Sequence, residues 1–207
     1  MAKHPEPRRL PVWQVFRHHG RMSVTAIVLC GGGSTRFGAD KTRQRLGAST
    51  VLDHLVASLA PQWSVVAVGP PRPLGREVTW AREDPAGGGP LAGIASGMRH
   101  VATELVVVLA GDMPFAGAPA ARLVAALIAD PRPDAVTALD GDGRSNPLLT
   151  AYRSAEVRRA LPSDPAGAPA RLLLDTLEHT TLRVPDEESL DVDTPDALEV
   201  ARHRLAP

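Results

Sequence analysis

Val24-Thr-Ala-Ile-Val-Leu-Cys-Gly-Gly-Gly-Ser-Thr-Arg-Phe-Gly-Ala-Asp-Lys41 joins an apolar run to a glycine-rich loop that ends in a lysine. Val24–Leu29 is compact and rich in β-branched residues, which reads as a buried strand. The three glycines after Cys30 let the backbone approach a ligand closely and turn its N–H groups toward an anion. Arg36 and Lys41 follow, two cations five residues apart. A glycine loop feeding two cations suits a polyphosphate whose charge must be neutralised during displacement. Two known phosphate motifs do not fit. The dinucleotide fingerprint needs glycine where Arg36 stands, and the P-loop needs lysine directly after its second glycine, where Ala39 and Asp40 intervene.

Outward from this stretch, apolar runs alternate with helix-period segments. Leu52, Leu55, Val56 and Leu59 fall on one helix face, and Val65–Val68 reads as a strand stopped by Gly69-Pro70-Pro71. Pro90 opens a helix with Leu91, Ile94, Met98 and Val101 on one face, and Leu105–Leu109 is the most strand-like run. Helix over Ala118–Ala129, extended chain over Asp134–Leu139, a turn at Asp140–Gly143 and a strand over Leu148–Tyr152 follow. The pattern closes with helix over Arg171–Glu178, a strand near Leu182–Val184, and a helix from Pro195 to Leu205 that Thr194 is typed to cap. This alternation predicts one α/β domain over residues 23–207, a mostly parallel sheet with helices on both faces. Ligands bind such sheets beyond the carboxyl ends of the strands.

Composition narrows the classes. The 207 residues carry 23 basic and 23 acidic side chains, so bulk charge predicts no nucleic-acid partner. Glycine and proline make up about 18% of the chain, above the ~12% average and below the ~25–30% of low-complexity sequence. The single Cys30 excludes an intrachain disulfide framework and reads as a small buried hydrophobe. No apolar run approaches the ~18 residues of a membrane span, so no membrane partner and a cytoplasmic location are expected. Residues 1–22, with five basic residues against Glu6, read as a disordered extension, with Met22 as an alternative start.

Leu29-x-Gly-Gly-x-Ser-x-Arg-Phe-Gly-x-Asp-Lys41 resembles the signature loop of the MobA-like NTP transferases, the family of molybdenum cofactor guanylyltransferase. Further landmarks appear in order: Glu83-Asp84, Gly89-Pro90-Leu91-Ala92-Gly93-Ile94, Gly111-Asp112-Met113-Pro114, Asn146-Pro147-Leu148 and Asp191-Val192-Asp193-Thr194-Pro195. The resemblance covers roughly residues 24–205 and implies a Rossmann-like nucleotidyltransferase fold. It implies transfer of GMP from GTP to the phosphate of molybdopterin, with magnesium as cofactor and pyrophosphate as the product.

The same resemblance assigns roles. Arg36, Lys41 and Asp112 carry the catalysis, and Leu29, Cys30, Gly31, Gly32, Lys41, Asp84 and Asp112 bind the nucleotide. Asp112 and Asp193 hold magnesium, a hard cation commonly bound through one or two carboxylates plus substrate phosphates. Asp193 is equally well typed as part of the turn before the last helix. Arg144 and Asn146 face the acceptor; Arg153, in the same stretch, reads either as an acceptor-side residue or as a surface cation. The loop Gly87–Gly93 reads as an anion site at a helix N-terminus or as a plain loop-to-helix joint. The family often places an asparagine after the second strand, where this chain has Gly69. Asp191-x-Asp193 resembles cytidylyltransferases, whereas the double glycine after Cys30 favours the guanylyl branch. The alternatives are therefore a cytidylyl or sugar-nucleotide transferase using CTP or another nucleotide, or a non-catalytic cofactor carrier. A monomer or weak homo-oligomer is expected.

Overall fold

The structure, a computed structural model, describes residues 22–31 and 40–205. The expected N-terminal extension, apart from Met22, and the loop residues Gly32 and Arg36 lie outside the described residues. In chain order the strands are β1 (Val24–Leu29), β2 (Arg45–Leu46), β3 (Ser49–Thr50), β4 (Ser64–Val68), β5 (Thr79–Ala81), β6 (Leu105–Ala110), β7 (Ala135–Leu139), β8 (Ser145–Arg153) and β9 (His179–Arg183). The helices are α1 (Val51–Ser58), α2 (Pro90–Met98), α3 (Gly117–Ala129), α4 (Ser154–Ala160), α5 (Arg171–Thr176) and α6 (Pro195–Leu205).

Seven strands form one sheet in the order β5-β4-β1-β6-β8-β7-β9, and β2 and β3 form a separate hairpin. All neighbours in the large sheet pair parallel except across β8, which runs antiparallel to both β6 and β7. Side chains alternate across the sheet. Leu105, Val107 and Leu109 of β6 join a core with Leu52 and Leu55 of α1 and Leu123 and Leu127 of α3. Val106 and Val108 face the opposite core, with Leu91 and Ile94 of α2, Val157 of α4 and Leu173 of α5. A third cluster packs Leu198 and Ala201 of α6 against Leu46, Val51 and Val192.

The expected elements are present, with three differences. Helix α5 stops at Thr176 because Leu177 turns extended and His179–Arg183 is drawn into pairing with β7. Val101 lies beyond the end of α2 yet is buried in the same core as its expected partners. The short β5, the β2–β3 hairpin and α4 carry too few residues for a sequence period to register. Thr194 does cap α6, its Oγ1 accepting the Ala197 N–H at 3.1 Å.

Candidate functional site

The parallel strands β5, β4, β1 and β6 end at one edge, and their exits line a cavity of about 610 Å3. Cys30 and Gly31 follow β1, Gly69 and Pro70 follow β4, Arg82 and Glu83 follow β5, and Asp112 follows β6. Close approach of the strand exits dictates glycine here. A Cβ on Gly69 would lie 2.8 Å from the Gly31 nitrogen, and one on Gly111 would lie 2.9 Å from the Leu29 carbonyl oxygen. The expected asparagine contact after β4 is absent, and Gly69 packs directly against Cys30 and Gly31.

Asp112 is 7% exposed. Its Oδ2 binds the Lys41 ammonium, and its buried Oδ1 has no partner. The same ammonium binds Asp193 Oδ1. Two residues 152 positions apart in sequence, Lys41 and Asp193, meet because the Val192 N–H donates to the Asp112 carbonyl at 3.0 Å, with Val192 buried beneath α6. Burial by itself would lower the Lys41 pKa, but hydrogen bonds to Asp112 and Asp193 outweigh it and hold it above the usual lysine value. Lys41 is therefore a firmly charged cation between two carboxylates. Asp191 stands in the same crowd. Its withdrawal from water, then repulsion by Asp112 and Asp193, push its carboxyl up to about 7 against the pull of Lys41.

Lys41 opens a short 3-10 turn, Lys41–Arg43, capped by Asp40. Asp40 Oδ1 accepts the Thr42 N–H at 3.1 Å and its hydroxyl at 2.5 Å. Arg72, from the loop after β4, donates to Asp40 Oδ2 at 2.7 Å and to Thr42 Oγ1 at 2.6 Å. Sequence reasoning missed Arg72, because a lone arginine in a proline-rich loop carries no motif.

On the other side of the cavity, Gly87, Gly89, Pro90 and Gly93 bring the α2 N-terminus to the wall. Gly89, at φ 89°, adopts a conformation that side-chain-bearing residues rarely take. The Leu91 N–H already donates to the Ala168 carbonyl at 3.4 Å, so part of this helix end is satisfied within the chain. Asp84, expected to bind the nucleotide, is not among the residues that line the cavity. The Asp84 carboxylate points to solvent, 3.4 Å from Arg99, whereas Glu83 lines the cavity with Oε2 accepting the Gly87 N–H at 2.9 Å. Arg82 and Glu83, directly after β5, both face the cavity, and the chain bends away at Asp84.

The segment expected to face an acceptor divides. Arg144 is 79% exposed, 3.4 Å from Asp142. Asn146 reaches inward, its Nδ2 4.0 Å from the sulfur of Met113, while Oδ1 accepts the Leu148 N–H. Pairing of β7 with β8 slips between Thr137 and Ala138, and the irregularity puts Leu148 on the cavity wall. Pro147, which has no N–H to donate, sits inside it. Arg153 is neither an acceptor contact nor a solvated cation: its guanidinium donates to the carbonyls of Leu127, Asp130 and Pro133 and closes the C-terminal end of α3. Cys30 is buried with Sγ 3.4 Å from the Val68 carbonyl, and burial pushes its thiol up to about 11.

Among the described residues, no group of three or more His, Cys, Asp and Glu side chains is arranged to hold a metal ion. The donor set at Asp112 nevertheless fits a hard divalent cation: two carboxylates reached by one ammonium, one with a buried oxygen lacking any partner. No helix among the described residues is long and apolar enough to cross a membrane.

The family model of the MobA-like NTP transferase domain matches residues 26–181. The chain is 32% identical over 151 residues to a molybdenum cofactor guanylyltransferase of Mesorhizobium japonicum, covering 68% of this chain and 72% of that one. It is 38% identical over 115 residues to the protein of the same name from Sinorhizobium fredii, covering 50% of this chain and 52% of that one. This match therefore spans about half the relative's length. The crystal structure of molybdopterin-guanine dinucleotide biosynthesis protein A from Archaeoglobus fulgidus superposes with a TM-score of 0.66 at 22% identity, covering 87% of this chain and 97% of that one.

Proposed function

Because this chain belongs to the MobA-like NTP transferase family, we propose that it transfers GMP from GTP to the phosphate of molybdopterin and releases pyrophosphate. The observation that carries this reading is the Lys41 ammonium held by Asp112 and Asp193 at the edge of a glycine-lined cavity. An oxygen of the acceptor phosphate forms a bond to the α-phosphorus of GTP as the bond to the bridging oxygen breaks. Pyrophosphate carries away that electron pair.

The chain's task is positioning and charge neutralisation, since no covalent intermediate is needed. Lys41 and Arg36 hold the triphosphate, and the glycine backbone that follows Cys30, whose own N–H donates to the Val68 carbonyl at 2.9 Å, cradles it. Three strand spacings of ~4.8 Å separate the β5 and β6 exits, so the nucleoside half lies toward Glu83 and the polyphosphate toward Asp112. Asn146 and Arg144 flank the acceptor. Asp112 and Asp193 would hold magnesium, which when bound neutralises charge on the phosphate oxygens. Lys41, which reaches both carboxylates, presents its ammonium to the triphosphate.

The test is pyrophosphate release with magnesium, molybdopterin and each of GTP, CTP, ATP and UTP. Release with GTP alone supports the reading. Release with CTP alone moves the activity to the cytidylyl branch, which Asp191-x-Asp193 resembles. A nucleotide-induced melting shift without release from any of the four assigns a carrier instead.

A further inference from the structure

Arg72 joins two parts of the site that are separated in sequence. Its side chain is 10% exposed and does not line the cavity. Nη1 donates to Asp40 Oδ2 at 2.7 Å, and Nη2 donates to Thr42 Oγ1 at 2.6 Å and to the Cys30 carbonyl at 3.4 Å. Cys30 directly follows β1 and leads into the glycine loop, and Asp40 and Thr42 bracket Lys41 on the far side of that loop. One guanidinium therefore ties the residue before the glycines to the two residues around the lysine.

The energetics favour a fixed geometry. Burial opposes the ionised form of Asp40, but hydrogen bonds from Thr42 and Arg72 overcome it and hold its carboxyl below the usual aspartate value. The Arg72 Nε is buried and has no partner, which lowers the stability gained from the cluster. The loop that presents Arg72 is stiffened by Pro71 and Pro73 on either side, each with a fixed φ. A planar fork can satisfy three acceptors at set directions, which a lysine's single ammonium on a flexible stem does not reproduce.

We propose that Arg72 is a positioning residue that clasps the two ends of the glycine loop and thereby sets the place of the Lys41 ammonium. The proposal rests on the reading of Lys41 as the triphosphate-binding cation. It makes Arg72 act through Lys41 and not on substrate, so its effect must vanish once the lysine is gone.

The experiment is a double-mutant cycle of Arg72→Ala and Lys41→Ala, with pyrophosphate release as one readout and amide hydrogen exchange over residues 40–43 as the other. Arg72→Ala alone is expected to lower turnover about 10- to 100-fold, within the range of coupling between neighbours. In the Lys41→Ala background it is expected to lower turnover less than about twofold. Thr42 exchange is expected to accelerate in Arg72→Ala while core amides of β1 and β6 keep their protection. Arg72→Lys is expected to behave like Arg72→Ala. Equal losses in both backgrounds, wild-type turnover in Arg72→Ala, or full recovery by lysine would each overturn the clasp. If Arg72→Ala melts below the assay temperature, Arg72→Gln carries the same cycle. If the wild-type chain releases no pyrophosphate, the transfer reading fails, and the exchange at Thr42 alone decides the clasp: unchanged exchange overturns it and faster exchange supports it.

Discussion

Lys41 shows how a single side chain can be neutralised in the free protein and still be ready for a ligand. Two carboxylates hold its charge, and burial is too weak an opposing effect to remove it. Lys41→Ala is expected to lower pyrophosphate release about 10²–10³-fold, as does loss of one preorganised donor to developing charge; an unchanged rate would remove it from the site. Asp112→Asn is expected to raise the magnesium concentration needed for half-maximal turnover, which a metal titration checks. Glu83 presents a carboxylate to the β5 end of the cavity, where the proposed reading puts the nucleoside. A carboxylate can accept both N–H groups on the Watson–Crick edge of guanine, so Glu83→Gln is expected to raise the KM for GTP about tenfold. The same change should narrow the preference for GTP over ATP, measured by competing the two nucleotides.

Cys30 gives a pH prediction with a definite sign. Its pKa is raised from 9.0 to about 11, first by burial, with Arg72 opposing. The folded chain therefore holds the thiol proton more tightly than the unfolded chain. The stabilisation is complete below pH 9 and is lost as pH rises toward 11. Denaturant titrations of Cys30→Ser against the parent across that window are expected to show a shallower decline in the variant. Alkylation at pH 8 is expected to be slow while the chain is folded.

At the scale of elements, arginines close helices that lack glycine caps. Helix ends leave carbonyls without partners, and Arg76 donates to that of Val56 in the last turn of α1 and to those of Leu59, Ala60, Pro61 and Trp63 beyond it. Arg153 does the same for α3, so Arg153→Ala is expected to cost about 2 kcal/mol of stability, read by chemical denaturation, with nucleotide affinity unchanged. Helices α1 and α3 meet at Gly117, where a Cβ would lie 2.5 Å from the Ser58 carbonyl oxygen. Gly117→Ala must separate them and is expected to cost about 1–3 kcal/mol.

For the whole molecule, the sheet places its polar chemistry at one edge and its apolar mass on both faces. With the proposed nucleotide site at that edge, nucleotide binding should stabilise the fold as a unit. A nucleotide at 100 times its Kd is expected to add about 2.7 kcal/mol, which moves the melting temperature by several degrees. Absence of a shift with any magnesium–nucleotide pair would argue against a nucleotide site.

The sequence by itself determined most of the elements, β1, β4, β6 to β9, α1 to α3, α5 and α6, though not every boundary, together with Asp112 at a strand exit and a glycine loop ending at Lys41. These are local properties, set by the alternation of apolar residues and by where glycine and proline interrupt it. Tertiary structure alone decided the rest. It reversed β8, brought Asp193 to Lys41 through one backbone hydrogen bond beneath α6, and turned Glu83 inward where Asp84 was expected. It also tied Arg72 to Cys30, Asp40 and Thr42 and made Arg153 part of a helix end. Each of these depends on where distant backbone atoms come to rest, and no spacing within the chain encodes that directly.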